Sequence, residues 1–315
     1  MKTALVLGVN GQDGSYLVDA LIARGYAVTG AARQASSRWV DPARFRYVAL
    51  DASDVARLDA LLSEVQPDEI YHMAAIHGSA GYAYEAGWHE ALALNVGSAH
   101  TCLEYMRRCR PEARLFYPSS VKVFGSNPPP VIDEKTRRVP DCLYSITKNA
   151  ATELIYYYRT EHGIFASIGY YFNHDSPRRS DNYFLPRLAG WIAAQLGRRE
   201  EAPDLTTLDF WCDWGSSREF MDLTADLLQV DGPCDVIFAT GRPVYAAALA
   251  ADLSAAAGLP PLATAPPGEP PFRADVSRLR EVIGKAPRAH AFEVAAWILQ
   301  ERYGVKLRPG RLDCS

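Results

Sequence analysis

The segment Tyr144-Ser145-Ile146-Thr147-Lys148 sets a phenol and an amine four residues apart, one helical turn, on the same face. An ammonium beside a phenol stabilises the phenolate and lowers its pKa, so Tyr144 is expected to exchange a proton with a carbinol near neutral pH. Ser120 closes an apolar run upstream and would hydrogen-bond the same oxygen, orienting it. Oxidising a carbinol also requires a hydride acceptor. The turn Gly8-Val9-Asn10-Gly11-Gln12-Asp13-Gly14 offers a place for one. Glycine lets the backbone turn tightly, and a helix N-terminus presents free N–H groups to a pyrophosphate. A glycine triplet alone also fits a plain structural turn. Here a predicted strand precedes it and a predicted helix follows, the context a dinucleotide site needs. Ser120, Tyr144 and Lys148 are therefore the expected catalytic set, and Gly8, Asn10, Gly11, Gln12, Asp13 and Gly14 the expected cradle for a nicotinamide dinucleotide.

The end of the second predicted strand separates NAD from NADP. An acidic residue there would bind a ribose hydroxyl. This chain has Arg33-Gln34-Ala35-Ser36-Ser37-Arg38 instead. A guanidinium and hydroxyls suit a 2′-phosphate, so NADP is the favoured cofactor, with NAD the alternative. A solvated loop arginine is the bland reading of the same residues.

These groups need elements to carry them. Short apolar runs predict strands over 3–7, 27–31, 47–50, 69–73, 114–118 and 165–172. Between them, helical spacing predicts helices over 15–24, through Leu58, Leu61, Leu62 and Val65, over 89–108 and over 144–159. Such alternation implies an α/β fold, a Rossmann-type doubly wound parallel sheet with helices on both faces. Ser120 then falls at the carboxyl end of a sheet strand, where ligands bind in such folds. Beyond residue 175 Pro and Gly become frequent, and the tract 259–271 reads as a loop. The expected division is a dinucleotide domain over 1–172, with a segment returning near 235–255, and a smaller C-terminal α/β substrate lobe over 173–234 and 256–315.

Bulk properties agree with an enzyme of this kind. The 315 residues, 48% hydrophobic, suffice for a sizeable core. A net charge of -4 gives no basic field for nucleic acid, and no apolar run approaches the roughly 18 residues of a membrane span. Six cysteines, at 102, 109, 142, 212, 234 and 314, show neither paired nor zinc-ligand spacing. Reduced thiols, no metal site and a cytoplasmic location are expected.

At this point a family comes into view. The chain resembles the extended short-chain dehydrogenase/reductases, the NAD-dependent epimerases and dehydratases, and within them most closely the GDP-mannose 4,6-dehydratases. The resemblance runs nearly end to end. It is carried by Gly11-Gln12-Asp13-Gly14-Ser15-Tyr16-Leu17, by Val65-Gln66-Pro67-Asp68-Glu69-Ile70-Tyr71, by Phe172-Asn173-His174-Asp175-Ser176-Pro177-Arg178-Arg179 and by Asp213-Trp214-Gly215. The last two are the most discriminating. The resemblance implies that Arg33, Ser36, Asp51, Ala52, Met73, Ala74, Ala75, Lys148, His174 and Arg179 contact the dinucleotide. It implies Asn173, Arg187 and Arg218 on the side of a nucleotide-sugar substrate. It also implies a homodimer or homotetramer and transient oxidation of a nucleotide-linked sugar at C4.

Departures from the family pattern bear on the outcome. Two residues past the catalytic hydroxyl the dehydratases carry Glu, which takes the C5 proton and returns one to the leaving C6 hydroxyl; here that residue is Lys122. If the segment stays extended, Lys122 shares a face with Ser120 and points into the same cleft. The alternative is a solvated lysine or one paired with a substrate phosphate. Cys212 stands where the family has an Arg before Asp-Trp-Gly, and Arg273 is the obvious replacement cation for the substrate. Cys142 could face the pocket as a weak acid, though a plain buried thiol is the more common case. His77 lies near the cofactor or is structural.

Three functions follow. The retained groups suffice for reversible hydride transfer, so a C4 epimerase, or a 4-keto reductase, of a nucleotide sugar, with a GDP-sugar inherited from the resemblance, comes first. A 4,6-dehydratase-like enzyme using Lys122, Cys142 or His77 in place of the carboxylate is second. A non-catalytic cofactor-binding regulator is third.

Overall fold

Strand–helix alternation builds a seven-stranded, wholly parallel sheet. The structure, a computed structural model, describes residues 1–77, 84–205, 207–260 and 268–307. The sheet strands are β1 (Thr3–Leu7), β2 (Ala27–Ala32), β3 (Arg46–Ala49), β4 (Glu69–His72), β5 (Arg114–Ser120), β6 (Phe165–Tyr171) and β7 (Asp235–Phe238). Their spatial order is β3-β2-β1-β4-β5-β6-β7, reversing direction of progress at β1. That switch point lies directly before the glycine turn. The register brings the strand ends together: Leu7 pairs with Ala31 and with His72, and Ser120 pairs with Tyr171. Residues that follow these ends, Gly8, Arg33, Met73 and Phe172, therefore share one edge with Ser120.

Successive residues of a strand face opposite sides, and the sheet buries both. Leu5, Leu7, Ile70, Leu115 and Tyr117 pack on one side, with α2 (Val55–Val65), α4 (Ser98–Cys109) and α5 (Leu143–His162). Ala4, Val6, Tyr71, Phe116 and Phe238 face the other, with α1 (Gln12–Ala23) and α7 (Ser217–Leu227). A separate core joins α6 (Phe184–Gln195), α8 (Ala246–Ala256) and α10 (Ala291–Tyr303) through Leu188, Ile192, Leu249, Val294 and Ile298, closed by Trp214. Thus α7 lies against the sheet layer and α8 in the second core.

Two expected helices differ in detail. α1 starts at Gln12 rather than 15, with Gly11 as N-cap and no side-chain cap. The helix expected over 89–108 is α3 (Trp88–Leu92), a π turn over Ala93–Gly97, and α4. The turn buries Asn95, whose side chain bonds Thr147 at 3.0 Å and the Ile76 amide at 2.9 Å, satisfying a polar group the helix alone would strand. The tract 259–271 lies outside the described residues over 261–267, as does Cys314. No described helix is long and apolar enough to cross a membrane.

Candidate functional site

The glycine turn is built for close backbone approach. Gly8 has φ +87°, and a Cβ there would lie 2.7 Å from the Ala74 nitrogen. A Cβ on Gly14 would lie 2.3 Å from the Gly8 carbonyl oxygen, so α1 presses onto the turn as only glycine permits. The first-turn N–H groups of α1 have no capping side chain. Together these fit a dinucleotide pyrophosphate.

Side chains of the turn reach elsewhere. Asp13 accepts hydrogen bonds from His174 Nε2 at 3.0 Å, Ser217 Oγ at 2.8 Å and Gln12 Nε2 at 3.0 Å. Gln12 also donates to the His174 carbonyl and accepts from Ser176 Oγ. The second ring nitrogen of His174 faces the Phe172 carbonyl at 2.7 Å. With an acceptor at each nitrogen, the ring is an imidazolium. Burial opposes both charges, but the pair holds: attraction to His174 keeps Asp13 well below the usual carboxylate range, and attraction to Asp13 raises His174. The resemblance gives His174 to the dinucleotide; its ring nitrogens bind the phosphate turn and a backbone carbonyl.

Asn10 ties the turn to the loop after β2. Its Nδ2 donates to Gln34 Oε1, the Ser36 carbonyl and Tyr47 Oη, and its Oδ1 accepts from the Arg38 amide at 2.8 Å. Trp39 Nε1 donates to the Asn10 carbonyl. The loop so held exposes Arg33 and Ser36. Asp51 accepts from the Ser53 amide and hydroxyl, and with the Arg33 charge nearby its carboxyl titrates low despite burial. Ala52 is buried behind it, and Met73, Ala74 and Ala75 continue β4 half-buried at the same edge.

Tyr144 and Lys148 enter on the first turns of α5, whose N-cap is Cys142. Cys142 Sγ accepts from the Ser145 amide, and Ser145 Oγ accepts from the Cys142 amide at 3.1 Å. The thiol is therefore a capping group. Tyr144 is 8% and Lys148 1% exposed. Lys148 Nζ donates to the Pro118 carbonyl at 2.8 Å and lies 5.9 Å from the Tyr144 ring centroid. The expected lowering of the phenol pKa by this ammonium is corrected by the geometry. Burial drives both groups towards neutrality: Lys148 falls to about 7, and Tyr144 rises above the ordinary phenol value. The Arg179 charge and a hydrogen bond with Ser120 act in the opposite direction on Tyr144. His77 lies beside it with its ring tilted, 4.6 Å from the Tyr144 ring, and stacks on Tyr183 at 5.8 Å. His77 is exposed, and its Nδ1 lies 2.9 Å from the Tyr183 hydroxyl.

The condition under which Lys122 would share the face of Ser120 is not met. The segment after Ser120 is not extended; it coils into a 3₁₀ turn, Val121–Phe124, capped by Ser120 Oγ, which accepts from the Lys122 amide at 3.2 Å. Burial of Val123 and Phe124 drives the coil and leaves Lys122 exposed.

The substrate candidates are spread out. Exposed Asn173 donates to Cys212 Sγ at 2.8 Å. Burial pushes that thiol well above its ordinary pKa, so Cys212 is a neutral acceptor. Arg187 donates to the Asp204 carbonyl. Arg273 is exposed on a short strand paired with Val131–Ile132. Arg218 lines a cleft of about 1010 Å³ with Asn10, Gly11, Tyr16, Arg178, Arg179 and Trp297. Its guanidinium lies 4.4 Å over Trp297, and that of Arg178 lies 4.1 Å over Tyr16. Arg179 lies 3.5 Å over Tyr183 and 3.3 Å from Asp175. Sequence reasoning gave no role to Tyr16, Arg178, Tyr183 or Trp297; only Tyr16 and Arg178, inside stretches that carry the resemblance, had a signal. Among the described residues, no cluster of three or more His, Cys, Asp or Glu could hold a metal.

Comparison with known proteins gives a consistent result. The family model for GDP-mannose 4,6 dehydratase matches residues 5–257. The GDP-mannose 4,6-dehydratase of Vibrio cholerae is 31% identical over 76% of this chain and 68% of its own. That of Sinorhizobium fredii is 32% identical over 76% and 72%. Among solved structures, UDP-glucose 4-epimerase from Brucella ovis, in complex with NAD, superposes with TM-score 0.79 at 20% identity, covering 98% of this chain and 100% of that one. The NAD-dependent NDP-hexosamine 5,6-dehydratase of tunicamycin biosynthesis does so with TM-score 0.77 at 20% identity, over 95% and 97%.

Proposed function

We propose, from the premise that this chain belongs to the GDP-mannose 4,6-dehydratase family of extended short-chain dehydrogenase/reductases, that it oxidises C4 of a nucleotide-linked sugar transiently and returns the hydride, as a C4 epimerase or 4-keto reductase. The chain is an NAD(P)-dependent nucleotide-sugar enzyme of the extended type; the outcome at the sugar is our reading. The observation that carries it is the pairing of an intact Ser120, Tyr144 and Lys148 with a lysine at position 122. An ammonium has no lone pair to take a C5 proton, so elimination lacks its base, whereas hydride transfer needs only the first three residues.

Bound on the glycine turn, the dinucleotide supplies the hydride acceptor and donor. Ser120 Oγ polarises the C4 oxygen and Tyr144 removes its proton. The ketone turns over, and Tyr144 returns the proton once the opposite face is reduced. Lys148, held by the Pro118 carbonyl, stands 5.9 Å from the Tyr144 ring centroid and orients that side of the site. Arg33 and Ser36 favour NADP, since no carboxylate stands at the end of β2 to claim the ribose hydroxyl. The Brucella ovis relative was solved with NAD, which keeps NAD as the second cofactor. A dehydratase remains the second reading, favoured by about 30% identity to named dehydratases.

Incubation with nucleotide sugars and dinucleotide in deuterated water tests the proposal. The expected product of an epimerase keeps the substrate's mass and carries no deuterium at C5. A 4-keto substrate given reduced dinucleotide would gain two hydrogens. Loss of one water, or exchange at C5, would falsify the hydride-only reading.

A further inference from the structure

We infer that His77 and Tyr183 act as one positioning unit for Tyr144, in which the Tyr183 hydroxyl sets the His77 ring and the His77 ring sets the phenol. The inference rests on the C4 oxidation proposed above and names residues that aim its acid–base group.

Ser120 addresses the phenol at its tip, so the orientation of the ring depends on what packs against it. The His77 ring does, with centroids 4.6 Å apart and planes at 55°. Yet His77 is exposed, and an exposed side chain ordinarily keeps its rotamer freedom. Two fastenings remove that freedom. The first holds the main chain. Buried Asn95 accepts from the Ile76 amide at 2.9 Å, and its Nδ2 donates to the Ile76 carbonyl at 3.3 Å and to Thr147 Oγ1 at 3.0 Å. Thr147 Oγ1 donates in turn to the Tyr144 carbonyl at 2.8 Å. A circuit thus leaves Tyr144 at its carbonyl, passes through Thr147, Asn95 and Ile76, and returns through His77 to the Tyr144 ring.

The second fastening sets the imidazole. Tyr183, the N-cap residue of α6, stacks on His77 at 5.8 Å with planes at 21°, and its hydroxyl lies 2.9 Å from His77 Nδ1. Stacking alone lets a ring turn in its own plane, whereas a hydrogen bond has a direction and stops that rotation. Tyr183 has a seat of its own. The Arg179 guanidinium lies 3.5 Å over its ring and 3.3 Å from the carboxylate of buried Asp175. The file Asp175, Arg179, Tyr183, His77, Tyr144 therefore joins the segment after β6 to the reacting phenol through printed side-chain contacts at every step.

The test compares wild type with Tyr183→Phe, His77→Ala and the double variant. Tyr183→Phe keeps the ring beneath Arg179 and removes only the directional bond. One readout is the single-turnover rate of dinucleotide reduction, with KM, using whichever of a panel of GDP- and UDP-linked hexoses wild type oxidises. The other is carbon NMR of the tyrosine rings in the protein without dinucleotide, the Tyr144 signals being assigned from Tyr144→Phe. A misplacement of about 1 Å costs about 10²-fold, so each single variant should lose roughly 10- to 100-fold in rate, with KM and Tm little changed. Residues that act as a unit are not additive, so the double variant should be no slower than the slower single one. Tyr183→Phe should also move the Tyr144 signals in the direction that His77→Ala does. Losses that multiply in the double variant would overturn the inference. So would a loss confined to KM, the mark of a direct contact to the sugar, or Tyr144 signals indifferent to Tyr183→Phe. If wild type oxidises none of the sugars, the C4 reading falls, while the ring signals still decide whether the pair holds Tyr144.

Discussion

Asp13→Asn isolates the electrostatic clamp between the phosphate turn and the segment 173–175. In the native chain Asp13 accepts from His174, Ser217 and Gln12, with Asp13 22% and His174 10% exposed as side chains. Removing one partner of a buried pair destabilises by about 3–5 kcal/mol. Asparagine keeps an acceptor for Ser217, and Asp13 is partly wet, so the lower end, about 3 kcal/mol, is expected. At roughly 2–4 °C per kcal/mol for chains of 150–250 residues, and less for a longer one, Tm should fall by about 6 °C. The sign of the pH dependence follows from the two shifts. His174 is raised, so its contribution is full below its unfolded value, about 6.5, and is lost as pH climbs through the folded pKa. Asp13 is lowered, so its contribution is full above about 3.9 and is lost as pH falls through the folded pKa. The gap between wild type and variant should therefore be widest between about pH 4 and 6.5 and narrow on the alkaline side. Thermal unfolding of both proteins from pH 5 to 9, without added dinucleotide, measures it. A variant melting within about 1 °C of wild type at pH 5.5, or a gap that widens with pH, would refute the clamp.

Other perturbations address the chemistry directly. Tyr144→Phe should lower turnover of the true sugar by about 10²- to 10⁴-fold, the range for losing a general acid–base group, and stopped-flow absorbance of the reduced dinucleotide reads it. Full turnover in that variant would end the account of the site. Gly14→Ala brings a Cβ within 2.3 Å of the Gly8 oxygen, backbone against backbone, so dinucleotide affinity by fluorescence titration should drop at least about tenfold. Unchanged affinity would show that the pyrophosphate sits elsewhere. Arg33→Ala should weaken NADP by about 10- to 100-fold and NAD far less. An equal loss for both would assign Arg33 no role at a 2′-phosphate.

Local chemistry made much of this legible. Apolar runs ending in Gly8 or Ser120 marked sheet strands because a parallel sheet buried on both faces needs nothing but apolar side chains. The 144–148 spacing placed Tyr144 and Lys148 on one helical face, where both lie. What escaped depends on partners far along the chain. His174 and Asp13 are separated by 161 positions, and nothing near either announces the other. The shape of the loop after β2 was hidden because the side chain that holds it, Asn10, belongs to another turn. Whether the 120–124 segment stays extended is open in the sequence, because Val121, Val123 and Phe124 are strand formers that a short turn can also accommodate. A serine hydroxyl bonding the amide two residues on offered the backbone a competing geometry, and burial of Val123 and Phe124 decided the contest.

The buried amine of Lys148 is anchored to a main-chain oxygen, that of Pro118, rather than to another side chain. No codon change at position 118 can delete that acceptor, because every amino acid brings a carbonyl. Around such a fixed point neighbouring side chains can be exchanged without misaiming the amine. The same arrangement offers an engineer a place to begin.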